Sequence, residues 1–177
     1  MRYAALLRGI NVGKSVKVPM ASLRSLIEKI GFENVITYLN SGNVIFDSEL
    51  QKIEIESSIE ESLTKLTGQR IPILVKSSLE LDLIIKAIPT EWRNDDSQKT
   101  DVAYLFNSAD SEKTLENLPV RREFVDIRYV KGAIFWNVSR KNYNKSHINK
   151  IIGHVQYERM TIRNINTARQ LAKLTNS

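Results

Sequence analysis

The sequence contains no cysteine. Disulfides, thiolate metal sites and a cysteine nucleophile are therefore excluded. Histidine is almost as scarce. The only two are His147 and His154, so a histidine-rich metal centre is out of reach, and zinc would need carboxylates for most of its ligands. No apolar run approaches the length of a membrane span. The first ten residues carry Arg2 and Arg8 and lack a long apolar stretch, so they do not read as a secretory leader. These absences lead us to expect a cytoplasmic protein with no membrane association, no metal and no cofactor.

What is present is a chain of 177 residues, 42% of them hydrophobic. That is enough for a real core, in one sizeable domain or two small ones. The net charge is +6, and its position is informative. Residues 1–100 hold 13 Lys and Arg against 13 Asp and Glu. Residues 101–177 hold 13 against 7, so the whole excess lies in the second half. A concentration of positive charge favours anionic partners such as nucleic acid or a nucleotide. The alternative is a basic, solvated surface with no specific partner.

Periodicity predicts the same run of elements twice. Residues 2–8 read as a strand. Pro19 suits a helix first turn, and Met20, Leu23, Leu26, Ile27 and Ile30 recur at helical spacing until Gly31. "NVITYLNSGNVIFD" reads as a hairpin turning at Ser41-Gly42. Ile55, Ile59, Leu63 and Leu66 mark a helix, "IPILV" a strand, and Ser77 with Glu80 the cap of a further helix. In the second half "DVAYLFN" is a strand, and a short helix follows near 111–118. "EFVDIRYV" and "AIFWNV" flank a Lys131-Gly132 turn. Ile148, Ile151, Ile152 and Val155 mark a helix, "RMTIR" a strand, and Asn164 caps the last helix.

Both halves thus read β-α-β-β-α-β-α. "SGNVIFD" lies over "KGAIFWN", and the distance from hairpin glycine to cap is 35 residues in one half and 32 in the other. The predicted fold class is α+β, a tandem duplication of a ferredoxin-like β-α-β-β-α-β unit with an extra helix after each copy. The expected domains are 1–88, a polar linker at 89–100, and a basic unit at 101–177.

The segment after the first strand, "RGINVGKSV", approaches a phosphate-binding loop. A Walker loop needs four residues between its glycines and a helix opening at the Lys-Ser pair. Here three residues separate Gly9 from Gly13, and Pro19 delays the helix by about a turn. The duplication suggests another meaning. From Arg8 to Gly42 is 34 residues, but from its counterpart Asn107 to Gly132 only 25. The insertion at 8–18 is either a grafted binding loop or a cover for the sheet end. As a binding loop, Gly9, Asn11 and Gly13 would turn N–H groups toward an anion. Arg8, Lys14 and Lys17 would add charge.

Three motifs carry a family resemblance. "LLRGINVGKSVKVPM", "TYLNSGNVIF" and the Thr161, Arg163, Asn164, Thr167 segment closely resemble the bacterial family known as domain of unknown function 1697. Lys14 departs from the family's usual glycine, and Ile165-Asn166 from a frequent Trp-Asn pair. The resemblance implies a fold like the one derived above and no established activity. It adds Tyr38, Asn43 and Arg163 to the candidate anion-binding set of Arg8, Gly9, Asn11, Gly13 and Lys14. Arg8 and Arg163 both end strands and are expected to line a shared groove.

Three function classes follow. The leading one is non-catalytic binding of nucleic acid or a nucleotide. In RNA-recognition domains of this topology, aromatics of the central strands stack bases, and Tyr104, Phe135 and Lys131 occupy comparable positions. The competing reading makes both rings core. The second class is an enzyme for a small phosphorylated or carboxylated metabolite held by loop 8–18. No catalytic residue can be named, since Asp95-Asp96 falls in the linker and no G-x-S-x-G elbow exists. The third is a protein-interaction module, including a homodimer paired through an edge strand.

Overall fold

A computed structural model describes residues 1–177. The chain divides into two compact units, Met1–Leu79 with Leu171–Ser177, and Glu80–Gln170. Each is α+β, built on a four-stranded antiparallel sheet. No helix is long and apolar enough to cross a membrane.

The first unit runs β1 (Arg2–Leu7), α1 (Met20–Ile30), β2 (Glu33–Tyr38), β3 (Asn43–Asp47), α2 (Lys52–Thr67) and β4 (Ile73–Ser77). Its sheet order is β2-β3-β1-β4. Tyr3, Ala5 and Leu7 point to one face, where they meet Leu23 and Ile27 of α1 and Ile55, Ile59 and Leu63 of α2. Ala4 and Leu6, on the other face, are also fully buried. This is why β1 reads as a continuous apolar run rather than an alternation. Gly31 ends α1 at φ 105, and Gly68 ends α2 at φ 72. Left-handed caps of this kind favour glycine, which has no Cβ to clash. Gln51 and Glu54 close a capping box at the start of α2. On the edge strand, Val75 N–H donates to Glu56 Oε1 at 2.9 Å, so a helix side chain occupies a backbone donor that would otherwise face outward.

The helix α3 (Ser78–Ala87) follows β4 directly. The second unit continues with β5 (Gln98–Leu105), α4 (Glu112–Glu116), β6 (Asp126–Val130), β7 (Ala133–Ser139), β8 (Met160–Asn164) and α5 (Ile165–Thr175). Its sheet order is β6-β7-β5-β8. Ala103, Leu105, Ile134, Trp136 and Val138 form its core with Leu115 and Ile151. Asn164 caps α5 as expected, with its Oδ1 accepting the Thr167 N–H at 2.9 Å.

Two expectations need correction. The helix foreseen over Ile148–Val155 is instead two 3-10 turns, Ile148–Gly153 and Val155–Arg159, broken at an extended His154. Ile148 and Ile151 are buried, whereas Ile152 and Val155 are 64% and 73% exposed. Residues three apart eclipse each other on a 3-10 turn, so the Ile148–Ile151 pair satisfies that geometry as well as it would a helix. The segment 89–100 is also no plain linker. Asp95 Oδ1 accepts the N–H groups of Ser97 and Gln98, Trp92 is buried edge-on to Phe135, and β5 begins at Gln98.

Candidate functional site

Asn11 is the residue that ties loop 8–18 to its surroundings. Asn11 Nδ2 donates to the carbonyls of Val18 (2.8 Å) and Asn40 (2.9 Å), while its Oδ1 accepts the Val18 N–H at 2.8 Å. Its own N–H donates to Val16 O at 2.9 Å. Asn11 therefore ties the loop to itself and to the turn between β2 and β3. Its left-handed φ of 58 suits asparagine better than most residues. Gly42 completes the lock. Its carbonyl accepts the Leu7 N–H at 2.8 Å, and a Cβ there would stand 2.8 Å from Leu7 Cβ. Asn43, fully buried, donates Nδ2 to Tyr38 O (2.9 Å) and Ser41 Oγ (3.0 Å). Of the candidate anion ligands, then, Asn11 and Asn43 are committed to backbone and turn, and Tyr38 is half-buried beside them. Their polarity is explained by folding, because a buried amide needs partners.

The remaining loop candidates face outward. Gly9, Gly13 and Lys14 are exposed, and both glycines have positive φ, 69 and 48. Arg8 is half-buried, and its N–H donates to Pro72 O at 2.9 Å. Lys17 Nζ donates to Gly13 O at 3.0 Å. The Walker geometry is absent, since α1 opens at Met20, five residues beyond Ser15.

In the second unit the aromatic candidates are inaccessible. Tyr104 is fully buried and Phe135 is 1% exposed. Base stacking needs an open ring face, so the stacking roles foreseen for these two residues are withdrawn. The Tyr104 hydroxyl has no hydrogen-bond partner, and burial raises its pKa. Arg163 pairs with Val102 across the sheet and is 8% exposed. It donates Nη1 to Thr161 Oγ1 (2.8 Å) and Ile162 O (2.9 Å). Desolvation lowers its pKa to about 10. It is a buried cation, not the strand-end surface group that was expected. Lys76 takes the matching position on β4, opposite Ala4, and is 3% exposed.

One anchoring residue was missed. Asp110 Oδ1 accepts the Tyr129 hydroxyl (2.9 Å) and the Gly132 N–H (2.7 Å). It holds the β6–β7 turn from the loop after β5, as Asn11 holds the β2–β3 turn. Its only sequence signal was that shared position.

Several exposed cations of residues 101–177 lie on turns and 3-10 segments. Arg122, Lys131, Lys141, Lys145 and Lys150 are exposed and make no ion pair, whereas Arg121 and Arg128 are neutralised by Glu123 and Asp126. The edge strands are blunted against pairing. β2 carries a register shift between Glu33 and Ile36, and β6 presents the Asp126–Arg128 pair.

The family model described as protein of unknown function (DUF1697) matches residues 1–136. The chain belongs to this family. Within the DUF1697 match lie the loop and hairpin motifs; the Thr161–Thr167 segment falls beyond it. A similar solved structure is that of the conserved bacterial protein SP0830 from Streptococcus pneumoniae. It is 28% identical, with a TM-score of 0.85 over 99% of this chain and 98% of that one. The DUF1697 description names no activity, so function must be read from the geometry.

Proposed function

We infer that the protein binds a polyanion, nucleic acid in the first place, through the exposed cations of its second unit, and that it is a binding protein rather than an enzyme. The observation that carries this reading is the exposure of Arg122, Lys131, Lys141, Lys145 and Lys150 without an ion pair; the net +6 of residues 101–177 is diluted over the unit Glu80–Gln170, which holds 15 Lys and Arg against 12 Asp and Glu. Since Tyr104 and Phe135 are buried, affinity would come from phosphates rather than stacked bases. Binding is then insensitive to sequence and steep in salt. Fluorescence anisotropy with a labelled single-stranded oligonucleotide tests this. The logarithm of the affinity should fall linearly with the logarithm of salt. Replacing Lys141, Lys145 and Lys150 together by Glu should reduce the slope by about 2–3. No binding at low salt overturns the reading.

We also read both units as ferredoxin-like and as copies of one ancestral unit. The matching strand orders support this, as do the positive φ of Gly42 and Gly132 at equivalent turns and the equivalent buried cations Lys76 and Arg163.

A second functional reading is a small phosphorylated or carboxylated ligand on the loop after β1. It is favoured by the exposed amides of Gly9 and Gly13 beside Lys14. Thermal shift against phosphorylated metabolites would reveal it, because a ligand for the folded state raises the melting temperature. A shift that survives Lys14→Ala would place the ligand elsewhere.

A further inference from the structure

The loop after β1 and the β2–β3 turn are locked together, and each holds one apolar side chain in water. Val12 is 58% exposed and Leu39 is 54% exposed. The Asn11–Asn40 hydrogen bond joins their immediate neighbours, so the two side chains share one end of the sheet. Leu39 is held at φ 55, a left-handed conformation that costs a leucine conformational energy. For stability alone, glycine or asparagine would serve better there. The leucine also recovers little by packing. Isolated exposed apolar residues are common, and Ile53 on the regular helix α2 is one. Leu39 differs because its display requires a strained backbone.

The two segments that carry the pair bear charge of one sign. Neither 8–18 nor 36–43 contains an acidic residue, while Lys14 and Lys17 are exposed in the loop. We propose that this end of the first sheet is a docking surface for an acidic segment of a partner protein, with Val12 and Leu39 as its apolar anchors. Apolar anchors accompanied by cations complement a segment that brings both a large apolar side chain and carboxylates. The Asn11 and Gly42 lock keeps the surface ordered before binding, which reduces the entropy lost on association. The residues of this surface are different from the basic residues of the second unit, and neither reading depends on the other.

The test uses the full-length protein panned against a displayed library of random twelve-residue peptides, with recovered peptides synthesised and titrated. The expected consensus places Asp and Glu around one large apolar residue. Leu39→Asn and Val12→Ser should each weaken binding by about tenfold or more. Leu39→Asn should at the same time raise the melting temperature by about 2–4 °C, since it relieves the left-handed leucine. A variant that failed to fold would lower it instead, so Val12→Ser provides an independent readout of the anchor. Absence of binders, a consensus without acidic residues, or binders indifferent to both substitutions would overturn the proposal. So would self-association abolished by Leu39→Asn, which would assign the surface to a second copy of the chain.

Discussion

Glu56 illustrates how a single carboxylate is held between two demands. Its Oε1 takes the Val75 N–H, yet burial raises its pKa above the ordinary glutamate value, outweighing the lowering by that N–H, Lys52 and Lys76. An acid with a raised folded pKa binds its proton more tightly in the folded state than in the unfolded chain. Its contribution is therefore most favourable below about pH 4 and is lost as pH rises through the folded value. Glu56→Gln keeps the acceptor and removes the charge. Urea denaturation should find the variant close to wild type at about pH 4 and more stable at about pH 7. A variant less stable than wild type at neutral pH would mean that the attraction of Lys52 and Lys76 outweighs desolvation. Residue roles of this kind were poorly legible in the sequence. Asn11, Asn43 and Arg163 were placed in the candidate anion-binding set, but Asn11 bonds the carbonyl of Asn40 in another turn, Asn43 bonds Tyr38 O and Ser41 Oγ within its own turn, and Arg163 bonds Thr161 and Ile162 on its own strand. Asn164 was assigned in advance because an asparagine before a helical run has a known local pattern, its side chain accepting a backbone N–H of the first turn.

At the scale of elements, legibility followed punctuation. In the first unit Pro19 precedes α1, Gly31 ends it and Gly42 turns the hairpin as expected, while Gly68, not marked in advance, ends α2. Residues 140–159 have weaker signals, and there the isoleucine spacing fitted a helix and a 3-10 turn equally well. Gly42 sits at a tight junction between elements. Alanine there would meet Leu7 Cβ at 2.8 Å and Ile10 Cδ1 at 2.9 Å, at φ 75. Gly42→Ala should cost about 2–4 kcal/mol from the left-handed backbone and the overpacking together. The loss would be read as a lower denaturant midpoint with faster amide exchange in 8–18. An unchanged midpoint would show that the loop and turn are not locked.

At the scale of the molecule, the division of the chain departs from the one expected from composition. The polar stretch 89–100 joins the second unit, and Leu171–Ser177 returns to the first. Within that unit Arg2 Nε donates to Leu174 O at 3.1 Å and pairs with Asp47 at 3.2 Å. Leu171 is fully buried. Nothing local in the sequence reports a contact spanning 172 positions, which is why the tail was assigned to the second half. Deleting residues 171–177 should therefore accelerate amide exchange in β1 and β3 more than in β5 and β7. The opposite order would return the tail to the second unit. The same feature bears on how the chain folds during synthesis. Residues 1–79 cannot complete their unit until residues 171–177 have been made. At about 5–20 residues per second that delay is on the order of 5–20 s. Over that interval the first sheet waits without its closing segment, and the whole of Glu80–Gln170 is translated before that segment appears.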